Sequence, residues 1–223
     1  MGTSGSDMHN EVNGKSVQDR LIKAAEELFC RRGFNDTSVR DIAAAADCNV
    51  ASINYYFGGK ENFYLEIWRR RLTEMRGMRL ASIDQVMSGD EPPRLDALLR
   101  SYASSFLGPL VEGGEHCRFA SLMAREMIDP HLPRDMYVSE MVTPVMAAFG
   151  EALMELCPWL NEGSVRLVIL SIVGQLMHMV CARQMFDESR GPGWPSLDVE
   201  GMVEHVVRFS AGGICAYANG AGE

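Results

Sequence analysis

The sequence predicts an all-α fold. Three observations carry that prediction: apolar residues recur at i, i+3 and i+4 through most of the chain, β-branched residues never alternate with polar ones for long, and the breaks fall at Gly, Pro and Asp clusters. Size and composition agree. At 223 residues, 47% hydrophobic and 23% charged, the chain buries a core without needing covalent staples. Its six cysteines never form C-x-x-C, so they indicate reduced thiols in a cytoplasmic protein rather than a zinc ribbon or redox centre.

The first 14 residues are polar and Gly/Ser-rich, without the apolar core of a signal peptide, and read as a flexible tail. Val17, Leu21, Ala24, Ala25, Leu28 and Phe29 then share one face of a first helix, which terminal Arg31-Arg32 and Gly33 bring to an end. Thr37 or Ser38 caps a short second helix; Asp41 is placed for a capping box with Ser38, and Val39, Ile42, Ala43 and Ala46 form the apolar side. Asn49 caps a third helix from Val50 to about Phe57, closed by Gly58-Gly59. A long helix follows over 60–86, and Ser88 to Pro93 breaks it. Further helices are predicted over 94–107, 117–127, 133–156, 162–186 and 198–218, with Pro144 kinking or splitting the third of these.

The stretch Thr37 to Glu61 is where residue type and spacing together point to a chemistry. Two short helices joined by a tight turn, the second opening on a polar cap, make helix-turn-helix geometry, whose second helix enters the DNA major groove. Ile53 and Phe57, four apart, face the core, which leaves Val50, Ala51, Ser52, Asn54, Tyr55 and Tyr56 on the outward arc. Small side chains at Ala51 and Ser52 let the backbone approach base edges. Asn54 can pair bidentately with adenine, and Val50 or Ala51 can touch a thymine methyl. Tyr55, Tyr56 and Lys60 have reach suited to phosphates.

These residues resemble the DNA-binding domain of the TetR family of bacterial transcriptional regulators. The likeness rests on Thr37, Ile42, Ala43, Ala46, Ile53, Tyr56, Phe57, Lys60 and Glu61, preceded by Ala24-Ala25, Leu28-Phe29 and Gly33-Phe34, and covers about residues 17–63. Asp47 stands in place of the usual turn glycine, Asn49 in place of a serine cap, and Asn54 where tyrosine is common, as in a branch that carries a base-reading Asn. The resemblance implies base contacts from Val50, Ala51, Ser52 and Asn54, backbone contacts from Tyr55, Tyr56 and Lys60, and groove-edge or phosphate contacts from Thr37 and Arg40. It also implies an organisation of tail (1–14), helix-turn-helix domain (15–59) and larger helical domain for effector binding and dimerisation (60–223).

Beyond residue 94 no catalytic, cofactor or nucleotide signature occurs, so no enzyme and no cofactor is expected. Fifteen methionines suit either a permissive cavity or ordinary core filling. Should the faces bearing Tyr102 and Phe106, Met123 and Met127, Met146 and Phe149, and Met177, His178 and Cys181 converge, they line a site for a small hydrophobic effector. His178 and Cys181 lack a third ligand, so no metal site is expected. Arg125-Glu126 either anchors a polar ligand group or forms an internal ion pair.

Residues 167–172 are apolar nearly all round, and Val199, Val203, Val206 and Val207 add a seam, which suits a two-fold four-helix dimer or mutual burial within one subunit. The run 167–182 is nearly long enough for a membrane span, but Gln175 and His178 interrupt it and Arg166 and Arg183 bracket it, so a buried helix is expected and no membrane partner.

The leading functional expectation is a homodimeric regulator, a repressor released from palindromic double-stranded operator DNA by a small hydrophobic molecule, with half-sites about 34–36 Å or somewhat more apart. The alternatives are a ligand-independent DNA-binding regulator and an apolar-ligand-binding protein that only resembles one. Net charge is −9 but unevenly spread: +1 over 15–60, −8 over 61–223 and −2 in the leader. A nearly neutral reading head limits non-specific DNA binding, so selectivity rests on base contacts and dimer spacing.

Overall fold

The computed structural model describes residues 5–108, 122, 123, 126, 129–188 and 198–220. The described residues are mainly helical, with no strand among them. Helix α1 runs Gly5–Arg32, α2 Val39–Ala45, α3 Val50–Phe57, α4 Lys60–Met87 and α5 Leu95–Leu107. Then come α6 (Arg134–Tyr137), a π-helical turn (Val138–Val142), α7 (Thr143–Leu156), α8 (Glu162–Glu188) and α9 (Val199–Gly220). The helix predicted over 117–127 falls largely outside the described residues. α1 begins well before Val17, since no proline interrupts residues 5–16 and the single internal Gly14 costs a helix only about 1 kcal/mol.

The chain forms two compact units, Met1–Arg71 with Arg118–Leu132, and Leu72–Cys117 with Pro133–Glu223. This division falls inside α4, between Arg71 and Leu72. The first turns of α4 bury Phe63, Tyr64, Ile67 and Trp68, and Tyr64 packs edge-on against Phe29 of α1 with ring centroids 5.0 Å apart. Arg71 adds a two-pronged pair to Glu26 of α1, Nε to Oε1 at 2.9 Å and Nη2 to Oε2 at 2.6 Å, with both side chains largely covered.

In the second unit α5 carries Leu98, Leu99, Tyr102, Ala103 and Leu107 on its buried face, and α9 presents Met202, Val203, Val206 and Val207. Arg100 of α5 and Glu204 of α9 form an exposed ion pair. Pro144 does not break the helical path. It sits in the first turn of α7, and the π turn immediately before it absorbs the mismatch. Proline has no N–H to offer the carbonyl four residues back, which is Glu140, and Arg76 of α4 donates Nη1 to that oxygen at 2.8 Å.

Candidate functional site

The turn between α2 and α3 is held by local chemistry. Ser38 and Asp41 make the reciprocal capping box: the Asp41 N–H donates to Ser38 Oγ at 3.2 Å and the Ser38 N–H to Asp41 Oδ2 at 3.1 Å. The Ser38 hydroxyl also donates to that carboxylate, and these hydrogen bonds hold the Asp41 carboxyl below its ordinary value. Asp47 takes φ +50°, the left-handed conformation in which it replaces glycine. Asn49 then caps α3 by accepting the Ala51 N–H at 2.8 Å. Gly58 ends the helix at φ +72°, where a Cβ would be strained.

On α3 Ile53 is fully buried and Phe57 stacks on Phe63 of α4, centroids 4.0 Å apart, which fixes the helix's rotation. Ala51, Asn54 and Tyr55 are consequently exposed, Tyr55 at 83%, while Val50, Ser52 and Tyr56 are half-buried beside them. Tyr55 and Tyr56 meet edge to face at 4.9 Å. Tyr56 and Phe57 also line an open groove of about 360 Å³ with Gln18, Asn62, Glu66, Arg69 and Arg70. Arg40 is exposed on α2.

Two residues of the set expected to contact DNA are otherwise engaged. Thr37 is buried: its hydroxyl donates to the Gly33 carbonyl at 2.8 Å and lies 3.4 Å from that of Leu28. It ties the end of α1 to the start of α2, which gives it a positioning role in the motif. Lys60 places its ammonium 4.1 Å over the Phe34 ring, a cation–π contact that the α1–α2 loop creates and spacing within α4 does not reveal.

Of the Arg125-Glu126 pair, Arg125 lies outside the described residues, and Glu126 gathers hydrogen-bond donors. Its Oε2 accepts the Tyr64 hydroxyl at 2.8 Å and its Oε1 the N–H groups of His131 and Leu132. The His131 ring then packs on Phe34, centroids 4.5 Å apart, and Asn35 donates to Asp129 at 2.9 Å. Glu126, Asp129, His131 and Leu132 are thereby held within the compact unit that carries α2 and α3.

Of the residues expected to line an effector site, Tyr102, Phe106 and Phe149 come together. Tyr102 stacks on Phe149 at 4.1 Å with planes 10° apart, and lies 6.5 Å from Phe106. Met146, one turn before Phe149, is half-buried, as is Met177 on α8. Met123 is half-buried in the segment Arg118–Leu132, which belongs to the other compact unit. Met127 and the Cys181 side chain lie outside the described residues. His178 is exposed on the same face of α8 as Leu167, Leu170 and Gly174, opposite the buried Ile169, Ile172 and Leu176, so it does not line the aromatic cluster.

Sequence reasoning passed over Arg79. It is 4% exposed, with its guanidinium carbon 4.0 Å over the Phe106 ring and Nη1 4.0 Å from Met141 Sδ. Its signal was a cation in the apolar stripe of α4, four residues after Met75 and four before Ile83. Burial lowers the Arg79 pKa and raises those of Tyr102 and Tyr137, and the attraction of Arg79 partly offsets the rise on both phenols.

Comparison with known proteins agrees with this geometry. Residues 21–67 match the family described as bacterial regulatory proteins, tetR family, and residues 95–214 match the C-terminal domain of the HTH-type transcriptional dual regulator CecR. The probable HTH-type transcriptional regulator YttP of Bacillus subtilis is 56% identical over 45 residues, 20% of this chain and 22% of that protein. The dual regulator CecR of Shigella flexneri is 46% identical over 54 residues, 24% of each. The chain thus spans about a quarter of the length of the curated relatives it matches. The fatty acid degradation regulator FadR from Bacillus halodurans, 21% identical, has the same fold, with a TM-score of 0.66 over 88% of this chain and 95% of that one. With its reading-head motif and more than half its length matched in this way, the chain belongs to the TetR family of bacterial regulatory proteins.

Proposed function

We propose that this chain is a homodimeric, sequence-specific DNA-binding transcriptional repressor of the cytoplasm, released from a palindromic operator by a small hydrophobic molecule. The observation that carries the reading is the outward arc of α3. Ala51, Asn54 and Tyr55 are exposed together on a helix whose start, rotation and end are each fixed by a cap, a buried isoleucine and a left-handed glycine. In this reading Asn54 recognises adenine, Val50, Ala51 and Ser52 meet base edges, and Arg40, Tyr55 and Tyr56 hold phosphates, with Arg69 adding positive charge beside Tyr56 while Arg70 pairs with Glu66.

Exposed apolar side chains support the dimer. Leu167 and Leu170 on α8 are 60% and 57% exposed, and Phe209 on α9 is 66% exposed. The stretch Glu162–Val180 has a mean hydropathy of 1.5 with 28% of it buried, a face that a second copy would cover. Tyr102, Phe106 and Phe149 supply the aromatic part of an effector site in the second unit.

A gel shift on the protein's own upstream region tests the core of the reading, using wild type, Asn54→Ala and Tyr56→Phe. Asn54→Ala should relax specificity at one position of each half-site, at a cost of about 1–3 kcal/mol. Tyr56→Phe should weaken all sequences alike. No sequence-specific shift by wild type at low salt sinks the proposal.

A further inference from the structure

Arg79 is a buried cation that the proposed DNA contacts do not use and that no carboxylate among the described residues neutralises. Among the described residues its Nε has no hydrogen-bond partner, and Nη1 lies against the Met141 thioether, a weak acceptor. The face of Phe106 covers the guanidinium on one side. Nearby hydroxyls are committed elsewhere: Ser82 donates to the Arg79 carbonyl at 2.8 Å, Ser101 to the Ser82 carbonyl at 2.8 Å, and Ser105 to the Tyr102 carbonyl at 2.7 Å. The charged side chain one turn earlier, Arg76, is occupied with the Glu140 carbonyl. Among the described residues the phenols of Tyr102 and Tyr137 are the other titratable groups close enough to interact with Arg79, and both are neutral donors at ordinary pH.

An uncompensated buried charge costs the free protein stability, whereas a hydrophobic side chain of similar volume at such a position is neutral or stabilising. A guanidinium keeps its charge in this setting and presents a planar fork of donors matched to a carboxylate. Apolar and aromatic surroundings favour an apolar body behind that carboxylate, and one cation balances one negative charge. We propose that Arg79 anchors the carboxylate of an apolar organic acid, whose body packs among Phe106, Tyr102, Tyr137 and Met141. This rests on the reading of the second unit as the effector-binding part, and it gives the effector a chemical class.

The test uses the full chain as wild type, Arg79→Met and Arg79→Lys, with benzoate, phenylacetate and decanoate set against their primary amides. Melting temperature and titration calorimetry report binding, and fluorescence anisotropy of an upstream DNA fragment reports release. Without any probe, Arg79→Met should melt at or above wild type. At least one acid should stabilise wild type while its amide does not. Its affinity should fall about tenfold or more in Arg79→Met and be partly kept in Arg79→Lys. The inference is overturned by an Arg79→Met protein that melts well below wild type, by amides that bind as tightly as the acids, or by no acid stabilising wild type. Arg79-dependent acid binding that leaves DNA affinity unchanged sustains the site and removes the effector reading. DNA release by the neutral amides, equal in Arg79→Met, sustains the effector reading and overturns the anionic anchor.

Discussion

Tyr64 donates its hydroxyl to Glu126, 62 residues further along the chain, and the other oxygen of that carboxylate receives the backbone N–H groups of His131 and Leu132. One side chain thus satisfies three donors, two from the turn that follows it and one from a helix far earlier in the chain. Glu126→Ala should leave a buried phenol and two amides unpaired, at a cost of about 2–3 kcal/mol. Denaturant titration checks the loss of stability. Faster hydrogen exchange at the His131 and Leu132 amides checks its location, and unchanged exchange there would refute the assignment.

Thr37→Val keeps the shape of the side chain and removes the hydroxyl that bonds the Gly33 carbonyl. We expect a loss of about 1–3 kcal/mol in urea denaturation, with the DNA affinity of the folded fraction unchanged. A large fall in DNA affinity at full stability would return Thr37 to the set of DNA contacts.

Glu26→Gln should destabilise the first unit by about 1–3 kcal/mol, since it removes one charged partner of an Arg71 side chain that is only 11% exposed. Paired melting curves with a double variant, Glu26→Gln with Arg71→Met, should show partial recovery. Strictly additive losses would mean that the two side chains are not energetically coupled.

Burial pushes the phenols of Tyr64, Tyr102 and Tyr137 above their ordinary value near 10. Each contributes its full share below that value, because folded and unfolded chains are then equally protonated. As pH rises through about 10 to 12 the unfolded chain ionises first, so stability falls with pH. Chemical denaturation at stepped pH should show this loss, with a flatter profile in Tyr102→Phe. An identical slope in that variant would exclude Tyr102 from the effect.

Leu170→Glu places a charge on the exposed apolar face of α8. In the homodimer reading it should convert the protein to monomer in sedimentation experiments and lower DNA affinity, while leaving the melting of the isolated subunit nearly unchanged. A dimer that persists would move the interface elsewhere.

What the sequence determined by itself is what short-range physics controls. The Ser38–Asp41 box, the Asn49 cap and the closing Gly58 follow from contacts within three or four residues, and helical periodicity turns Ile53 inward, while the left-handed Asp47 was legible through the family resemblance. The outward arc of α3 follows from that same periodicity, with Ile53 and Phe57 on the opposite side. Pro144 was legible as an interruption, but the π turn that accommodates it, and Arg76 reaching its orphaned carbonyl, were not. The tertiary structure alone decided that Thr37 is sequestered, that Lys60 lies over Phe34, that Glu126 gathers three donors, and that His178 faces away from the aromatic cluster. It also decided that Arg79 is buried against Phe106 without a carboxylate partner among the described residues. In each case a polar side chain's role depends on which distant surface covers it. Helical periodicity says which face a residue occupies, and only packing says what that face meets.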